Sequence, residues 1–207
     1  MIVYYDWNTS PNCLKTKILL NELGIPYEQR NVDAATVRGP DYRAKFPTGQ
    51  SPALEDGPLR LAESGAIAYH LAEKHGALMP KEPNRRALMF QAMALEAALV
   101  APTTGGQGLF GELYKPEPQR NLPRIAELRK RAQWVAEVLG AVLGERTYFA
   151  EEFSIADIQL YAAVAKSLEE GVSETPPKNL VAWHARMSDR PSVAQAREQY
   201  VPYQRKK

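Results

Sequence analysis

Four side chains that could donate a hydrogen bond or handle a proton follow the first strand-like run of the sequence. Residues 8–15 read N-T-S-P-N-C-L-K and come directly after the apolar run at residues 2–5. The four side chains are Thr9, Ser10, Asn12 and Cys13. Serine followed by proline is typical of a helix start, with the serine just before the helix and proline at its first position. Because amides at a helix start attract anions, the pattern predicts a donor site for a negatively charged atom.

A second place for chemistry is the dipeptide Glu63-Ser64, where a strand-like run gives way to a helical one. The amides at the start of a helix attract a carboxylate, the serine hydroxyl adds a donor, and the glutamate can face an ammonium group. Together these groups match the end of a ligand that carries both charges. The alternative is that Ser64 only caps its helix.

The composition excludes several functional classes. The chain has 207 residues and a formal net charge of +2, so it has no strong field to recruit nucleic acid or an anionic membrane. A single cysteine excludes an internal disulfide and a cysteine zinc cluster, and His70, His75 and His184 form no metal motif. We see no signal-peptide pattern and no membrane-length apolar run. The sequence therefore predicts a cytoplasmic protein with no metal, nucleic-acid or membrane partner.

The first part of the chain alternates strand and helix signals. Strand-like runs lie at residues 2–5, 27–32, 53–55 and 59–62, the last two on either side of the turn signal Asp56-Gly57. A helical apolar pattern over residues 14–23 stops at Gly24, and a further helix is predicted over residues 64–75. This order predicts a mixed four-stranded sheet with helices packed on it.

From about residue 83 onward the sequence shows only helical signals. The clearest helix carries apolar residues at positions 125, 128, 132, 135, 139 and 142, which share one face. Residues 153–158, F-S-I-A-D-I, predict a helix start with a capping box formed by Ser154 and Asp157. Residues 76–84 contain two prolines and are typical of a linker. We therefore predict an α/β domain at residues 1–78, a linker at 79–84 and an all-α domain at 85–207.

Four stretches together resemble the cytosolic glutathione transferases, in particular bacterial members of the theta, beta or nu type. They are residues 10–15 (S-P-N-C-L-K), 47–54 (P-T-G-Q-S-P-A-L), 61–71 (L-A-E-S-G-A-I-A-Y-H-L), and 153–158 followed by 182–187 (A-W-H-A-R-M) and 190–191 (R-P). They occur in the family's order over nearly the whole chain. The resemblance implies a thioredoxin-like α/β domain, an all-α domain, usually a homodimer, and an active site near the domain interface.

The resemblance also implies glutathione as co-substrate. In the family, the residue before a cis proline pairs its main chain with the cysteinyl part of glutathione, and Ser51 stands in that position here. Glu63 and Ser64 match the γ-glutamyl end, and Gln50 matches the contact to the glycine end. The implied glutathione-binding residues are Gln50, Ser51, Pro52, Glu63 and Ser64. On the residues alone, Pro52 could be an ordinary proline at the start of a strand.

Four side chains are candidates for the role of holding the glutathione sulfur as a thiolate. Ser10 is the first choice, because it takes the attacking position of the thioredoxin C-P-x-C pattern and can donate without ionising itself. Asn12 is the second, since its amide can donate and relatives with a T-P-N-G stretch use that asparagine; Thr9 could contribute. Cys13 falls one turn into the helix, where a lone buried cysteine usually acts as a small apolar side chain. An exposed Cys13 would instead have a lowered pKa and could form a mixed disulfide with glutathione.

The electrophile is expected to be apolar and to bind against the first helices of the second domain. The predicted lining residues are Trp7, Asn8, Thr103, Gln107, Phe110 and Tyr114. Each aromatic residue among them could instead belong to the core. The run G-G-Q-G at residues 105–108 should break the helix there, which favours an open pocket.

Three positions depart from the family pattern. Phe46 replaces an asparagine, Ser51 replaces a branched apolar residue, and Glu151 stands where glycine is common, so a positive φ there would strain the glutamate. The predicted function is a glutathione transferase that activates glutathione as a thiolate for attack on an apolar electrophile. The alternatives are a glutathione-dependent disulfide reductase or peroxidase on the same site, favoured if Asn12 or Cys13 dominates, and a non-catalytic ligand-binding relative.

Overall fold

A computed structural model describes residues 1–201. In chain order its elements are β1 (Ile2–Asp6), α1 (Pro11–Leu23), β2 (Tyr27–Asn31), α2 (Ala34–Arg38), α3 (Pro40–Lys45), β3 (Ala53–Asp56), β4 (Leu59–Ala62), α4 (Ser64–His75), α5 (Pro83–Leu95), α6 (Ala101–Thr104), α7 (Leu109–Leu113), α8 (Leu122–Leu143), α9 (Ile155–Glu169), α10 (Lys178–Ser188) and α11 (Pro191–Glu198). One turn of π-helix, Glu96–Val100, joins α5 to α6, and a short 3₁₀ turn, Glu117–Gln119, precedes α8. The chain forms two compact units, residues 1–79 with 190–201, and residues 80–189.

The first unit is built on a four-stranded sheet with the strand order β2-β1-β3-β4. β1 pairs with β2 in parallel, with Ile2 opposite Tyr27, and with β3 in antiparallel, with Tyr5 opposite Ala53. The hairpin predicted around Asp56-Gly57 joins β3 to β4. The predicted mixed four-stranded sheet and its flanking helices are confirmed, and the predicted helix over residues 64–75 coincides with α4.

Alternation along β1 places neighbouring side chains on opposite faces of the sheet. Tyr4 is fully buried, and Tyr5 packs in a separate cluster with Tyr42 and Phe46. The ring centroids of Tyr5 and Phe46 lie 5.2 Å apart in an edge-to-face arrangement, which aromatic quadrupoles favour. Phe46, which replaces the family's asparagine, is therefore a core residue of this unit.

The second unit is helical throughout its described elements. On α8 the predicted apolar face is buried at Ile125, Ala132, Val135 and Leu139. Ser154 and Asp157 form the predicted capping box at the start of α9, and Asp157 also accepts a 2.9 Å hydrogen bond from Trp183 Nε1. Glu151, before that cap, has a φ of 65°, so the suspected positive φ is confirmed.

The last described helix, α11, belongs to the first unit by its contacts. The predicted all-α domain at residues 85–207 had instead included this helix. α11 packs on α1, where Glu22 accepts hydrogen bonds from Arg190 and from the Ser192 hydroxyl. Asn21 Nδ2 donates to the Ser192 carbonyl at 3.3 Å. The boundaries predicted at residues 78 and 85 stay a prediction.

One helical stretch, Pro83–Leu113, is long and apolar enough to cross a membrane by length and composition alone, among the residues that the structure describes. The expectation of no membrane-length apolar run is wrong in this respect, because Glu96 is the single charged residue between positions 88 and 105. The core helix of a globular protein meets the same criterion.

Candidate functional site

The turn between β1 and α1 presents the first candidate side chain. The Ser10 amide donates to the Trp7 carbonyl at 2.7 Å, and Ser10 has extended backbone angles as the N-cap residue, with Pro11 at the first helical position. This matches the pattern that serine and proline predict at a helix start. The Ser10 side chain, however, makes no capping hydrogen bond to the helix amides. Its half-buried hydroxyl is therefore not used as a cap.

The neighbouring residues of this turn are held through their side chains and main chain. Asn12 is exposed, and its Oδ1 accepts a 2.8 Å hydrogen bond from the buried ammonium of Lys15. The carbonyls of Asn8 and Thr9 accept hydrogen bonds from the Val201 amide at 3.0 Å and from the Tyr200 hydroxyl at 3.2 Å. The segment after α11 thus binds the main chain of the turn that carries Ser10.

A buried ion pair lies beneath this turn. Asp6 and Lys17 are 1% and 2% exposed, and Lys17 Nζ is 2.7 Å from Asp6 Oδ2. Asp6 also accepts from Gln29 Nε2 at 3.0 Å and from the Tyr4 hydroxyl at 2.9 Å, so both carboxylate oxygens are satisfied. Burial raises the pKa of Tyr4 well above its usual value, which keeps the phenol a donor. Sequence reasoning missed this pair; its signal was an aspartate at the end of a buried strand and a lysine among apolar helix positions.

Cys13 lies inside the unit and is not exposed at the helix start. Its side chain is 1% exposed, and its sulfur is 3.3 Å from the Trp7 amide nitrogen and 3.0 Å from Ser51 Oγ. Burial raises the pKa of the Cys13 thiol, although the contacts with Ser51, Trp7 and Ser10 oppose the rise. These surroundings favour the neutral thiol and disfavour Cys13 as a nucleophile.

The loop before β3 carries the residues implied for glutathione binding. The Ser51-Pro52 peptide bond is cis, as the resemblance implied. The Tyr42 hydroxyl donates to the Gln50 carbonyl at 2.8 Å, and the Ser51 hydroxyl donates to the Tyr5 carbonyl at 3.0 Å. Pro52 is buried, while the Gln50 side chain is exposed. A side chain of α3 and a main-chain carbonyl of β1 thus hold this loop.

The junction between β4 and α4 has an unusual backbone. Glu63 is exposed and precedes α4 with φ 72° and ψ 118°, a conformation that non-glycine residues rarely adopt. Ser64 is buried at the first position of α4. Strained positions of this kind are common at ligand-binding sites, so the conformation supports a functional role for Glu63.

The residues predicted to line an electrophile pocket are divided between the two units. Trp7 and Asn8 belong to the first unit; Thr103, Gln107, Phe110 and Tyr114 belong to the second. The helix breaks between Thr104 and Leu109, as the glycine-rich run predicted.

Within the second unit, Phe110 and Tyr114 stack with ring centroids 6.0 Å apart. The Lys166 ammonium lies 4.5 Å from the centroid of each of these two rings. Thr103 is buried and accepts a 3.0 Å hydrogen bond from Arg131. Gln107 is exposed.

Metal chemistry has no candidate site in residues 1–201, where no group of three His, Cys, Asp or Glu side chains could hold a metal ion. The polar groups that the first unit does assemble are hydroxyls, amides and a helix start. Such groups can stabilise an anion and hold a zwitterionic ligand end.

Comparison with known proteins gives a consistent set of relatives. The family model described as the glutathione S-transferase N-terminal domain matches residues 1–73. The chain is 30% identical to glutathione S-transferase GstB of Escherichia coli over 200 residues, which cover 93% of this chain and 96% of that protein. It is 28% identical to the disulfide-bond oxidoreductase YfcG of the same organism over 90% of each chain. The crystal structure of the theta class glutathione S-transferase from Xanthomonas axonopodis pv. citri with glutathione bound has a TM-score of 0.87, with 30% identity over 94% of this chain and 96% of that one.

Proposed function

The chain belongs to the glutathione S-transferase family and is a glutathione transferase, and on this basis we propose that Ser10 holds the sulfur of bound glutathione as a thiolate. Glutathione is its co-substrate, since relatives of closely similar fold bind it. The thiolate is the nucleophile that attacks an electrophilic substrate.

The proposed glutathione site uses the first unit alone. The main chain of Ser51, before the cis proline, pairs with the cysteinyl part, and Gln50 contacts the glycine end. Glu63 and Ser64 bind the γ-glutamyl end: the start of α4 attracts the carboxylate, and the Glu63 carboxylate faces the ammonium. The unusual φ of Glu63 supports this assignment, because glutamate adopts it although only glycine would be relaxed there.

One donor is sufficient to activate the thiol. A free thiol has a pKa of about 8.5, and lowering it by two units needs about 2.7 kcal/mol of preference for the anion. A hydrogen bond to a charged group supplies about 1.5–3 kcal/mol, and the start of α1 adds about 0.3–1 kcal/mol. No general base is therefore required.

The observation that carries the assignment to Ser10 is its hydroxyl at the N-cap of α1, which makes no capping hydrogen bond to the amides of that helix. The structure thus gives no support to the alternative in which Ser10 only caps α1. Asn12 accepts from Lys15 through its Oδ1, a contact that does not engage its donor group Nδ2, and Cys13 is buried as a thiol. Among the candidates on this turn, Ser10 is the hydroxyl that best fits a donor to an incoming thiolate.

The test is a titration of enzyme-bound glutathione, following thiolate ultraviolet absorbance against pH. We expect Ser10→Ala to raise the apparent pKa of the bound thiol by about 1–2 units, the equivalent of one lost charged hydrogen bond. Ser10→Thr, which keeps a hydroxyl, should stay near wild type, and Cys13→Ala should barely change the pKa at saturating glutathione. An unchanged titration in Ser10→Ala would remove Ser10 from the mechanism.

A second candidate function is a glutathione-dependent disulfide reductase or peroxidase. The 28% identity to the disulfide-bond oxidoreductase YfcG favours it, as does Asn12 in the turn. Under this alternative, Asn12→Ala would raise the bound-thiol pKa more than Ser10→Ala does. Turnover of a disulfide substrate in the presence of glutathione would then exceed conjugation of 1-chloro-2,4-dinitrobenzene.

The partner and location assignments form part of the same proposal. The electrophile is apolar, and the protein is a cytoplasmic homodimer. The lining residues predicted from the sequence stay a prediction, and Thr103 and Phe110 are buried within the second unit. They are Trp7, Asn8, Thr103, Gln107, Phe110 and Tyr114. The resemblance to a family whose members are usually homodimers supports a second copy of the chain as partner. Sedimentation of a monomer at micromolar concentration would contradict the dimer.

A further inference from the structure

We propose that Cys13 and Ser51 form a hydrogen-bonded relay that positions the main chain of Ser51 and thereby sets the affinity for glutathione. Neither side chain has to touch glutathione for this effect. The inference rests on the proposed function in one respect, namely that the main chain of Ser51 pairs with the cysteinyl part of glutathione. Cys13 is then a positioning residue and not a nucleophile.

The direction of each hydrogen bond in the relay follows from the number of protons available. The Ser51 hydroxyl has one hydrogen, which it donates to the Tyr5 carbonyl at 3.0 Å. Ser51 Oγ therefore has only its lone pairs to offer Cys13, 3.0 Å away, so the Cys13 thiol is the donor in that contact. The Trp7 amide donates to the Cys13 sulfur at 3.3 Å. The chain of donors thus runs from the Trp7 amide through Cys13 and Ser51 to the Tyr5 carbonyl.

The relay requires that Cys13 keep its proton. A thiolate is an acceptor only, so an ionised Cys13 would draw the Ser51 hydrogen away from the Tyr5 carbonyl. Cys13 is 1% exposed, and burial of this kind disfavours the charged form. The same arrangement therefore explains why the only cysteine of the chain lies beside the proposed site without acting as its nucleophile.

The relay joins three segments that are distant in the sequence. Tyr5 and Trp7 lie at the end of β1, Cys13 in the first turn of α1, and Ser51 before the cis bond of the loop that leads into β3. Cys13 and Ser51 are 38 residues apart. Since a buried hydrogen bond restricts both of its partners, the relay fixes the Ser51 main chain against the turn that carries Ser10.

The chain offers a matched control on the same helix. Thr16 is buried on α1, and its hydroxyl has no hydrogen-bond partner among the described residues. Thr16→Val therefore removes a buried polar atom from α1 without touching the relay. It separates a general disturbance of the helix from a loss of the Cys13–Ser51 contact.

The first experiment measures glutathione binding by calorimetry in the full chain. We expect Cys13→Ala and Ser51→Ala each to raise the Kd for glutathione roughly three- to tenfold, the effect of losing one neutral buried hydrogen bond. The double variant should bind no more weakly than the weaker single variant, because both changes break the same relay. Cys13→Ser, whose hydroxyl can donate to Ser51, and Thr16→Val should stay within about twofold of wild type. A Cys13→Ala enzyme with wild-type Kd, or single effects that multiply in the double variant, would overturn the proposal.

The second experiment detects the thiol hydrogen bond without glutathione. Because Cys13 is the only cysteine, the infrared S–H stretching band of the protein belongs to this residue alone. We expect Ser51→Ala to shift the band to higher frequency, since the donor is released, and Thr16→Val to leave it in place. A band unmoved by Ser51→Ala would refute the relay even if Cys13→Ala fails to fold. If wild type binds no glutathione, the proposed function fails, whereas the S–H band still decides whether the relay exists.

Discussion

At the scale of single residues, three described non-glycine positions have a positive φ: Glu63, Leu78 and Glu151. Glu63 belongs to the proposed γ-glutamyl site. Glu151 has no such role in the proposal. It precedes the capping box of α9, and its carboxylate pairs with Arg85 at 2.8 Å while both side chains are about half exposed. An ion pair of this exposure contributes little, so it does not offset the backbone strain at Glu151.

Replacement of Glu151 separates the backbone effect from the side-chain effect. Glu151→Gly and Glu151→Ala both lose the ion pair with Arg85, but only glycine relieves the positive φ. We expect the glycine variant to be more stable than the alanine variant by about 0.5–1 kcal/mol, after allowing for the greater freedom of glycine in the unfolded chain. Denaturant unfolding of the two variants measures the difference. Equal midpoints would show that the loop relaxes around alanine.

Single residues of the site divide into those that the sequence could indicate and those that it could not. Ser10 before Pro11 is a local pattern, so its place at a helix start was predictable from neighbouring residues. The contact of Cys13 with Ser51 joins residues that are far apart in sequence, and no local rule relates them. The pair of Asp6 and Lys17 had a weak signal, since Asp6 directly follows one apolar run and Lys17 directly precedes another.

At the scale of elements, Asp56 connects the sheet to α4. Its carboxylate, at the end of β3, accepts from His70 Nε2 at 2.9 Å and from Lys74 Nζ at 2.5 Å. His70 and Lys74 are four residues apart on α4, so both face the same side of the helix. The hydrogen bonds from Lys74 and His70 lower the pKa of Asp56.

This lowered pKa makes the connection dependent on pH. In the unfolded chain the pKa of Asp56 is about 3.9, and in the folded chain its pKa is lower. The stabilisation by Asp56 is therefore complete above about pH 4 and is lost as the pH falls through the folded-state pKa. We expect Asp56→Asn to be less stable than wild type at about pH 5, with the difference shrinking toward about pH 3. Denaturant unfolding of both proteins at each pH measures this difference in stability. The other carboxylates titrate in both proteins, so their contribution cancels in the comparison. A difference that stays constant between the two pH values would contradict the prediction.

Elements with a long repeating pattern were predictable from the sequence, and short ones were not. The buried face of α8 repeats over about five turns, and α4 matches its predicted bounds. α2 and α3 have five and six residues, too few for a periodic pattern to appear. The π-helical turn after α5 leaves no trace in the sequence, because its residues are ordinary helix formers.

At the scale of the whole molecule, the first unit is made from two separate parts of the chain. α11 contacts α1, and Tyr200 and Val201 donate to carbonyls of the turn that holds Ser10. The proposed thiolate site is therefore supported by residues about 190 positions further along the chain. The sequence did not predict this, since a terminal amphipathic helix carries no mark of the surface that it will cover.

Removal of this last part should impair the glutathione site although it contains none of the proposed binding residues. A chain that ends after Asp189 loses the bonds of Glu22 to Arg190 and Ser192 and both donors to the turn. We expect it to bind glutathione at least tenfold more weakly, and Tyr200→Phe, which removes one hydrogen bond, to have an effect of only about 0.5–1.5 kcal/mol. Calorimetry measures both. Wild-type affinity in the shortened chain would show that the turn holds its shape unaided.

The return of α11 to α1 also determines when the protein can become active during its synthesis. The helical unit, residues 80–189, is translated between the two parts of the glutathione-binding unit. At about 5–20 residues per second, a ribosome needs on the order of ten seconds to cross that interval. Throughout that time the nascent first unit has an uncovered face on α1, a natural target for chaperones. We therefore expect catalytic competence to arise only after the helical unit and then α11 have emerged from the ribosome.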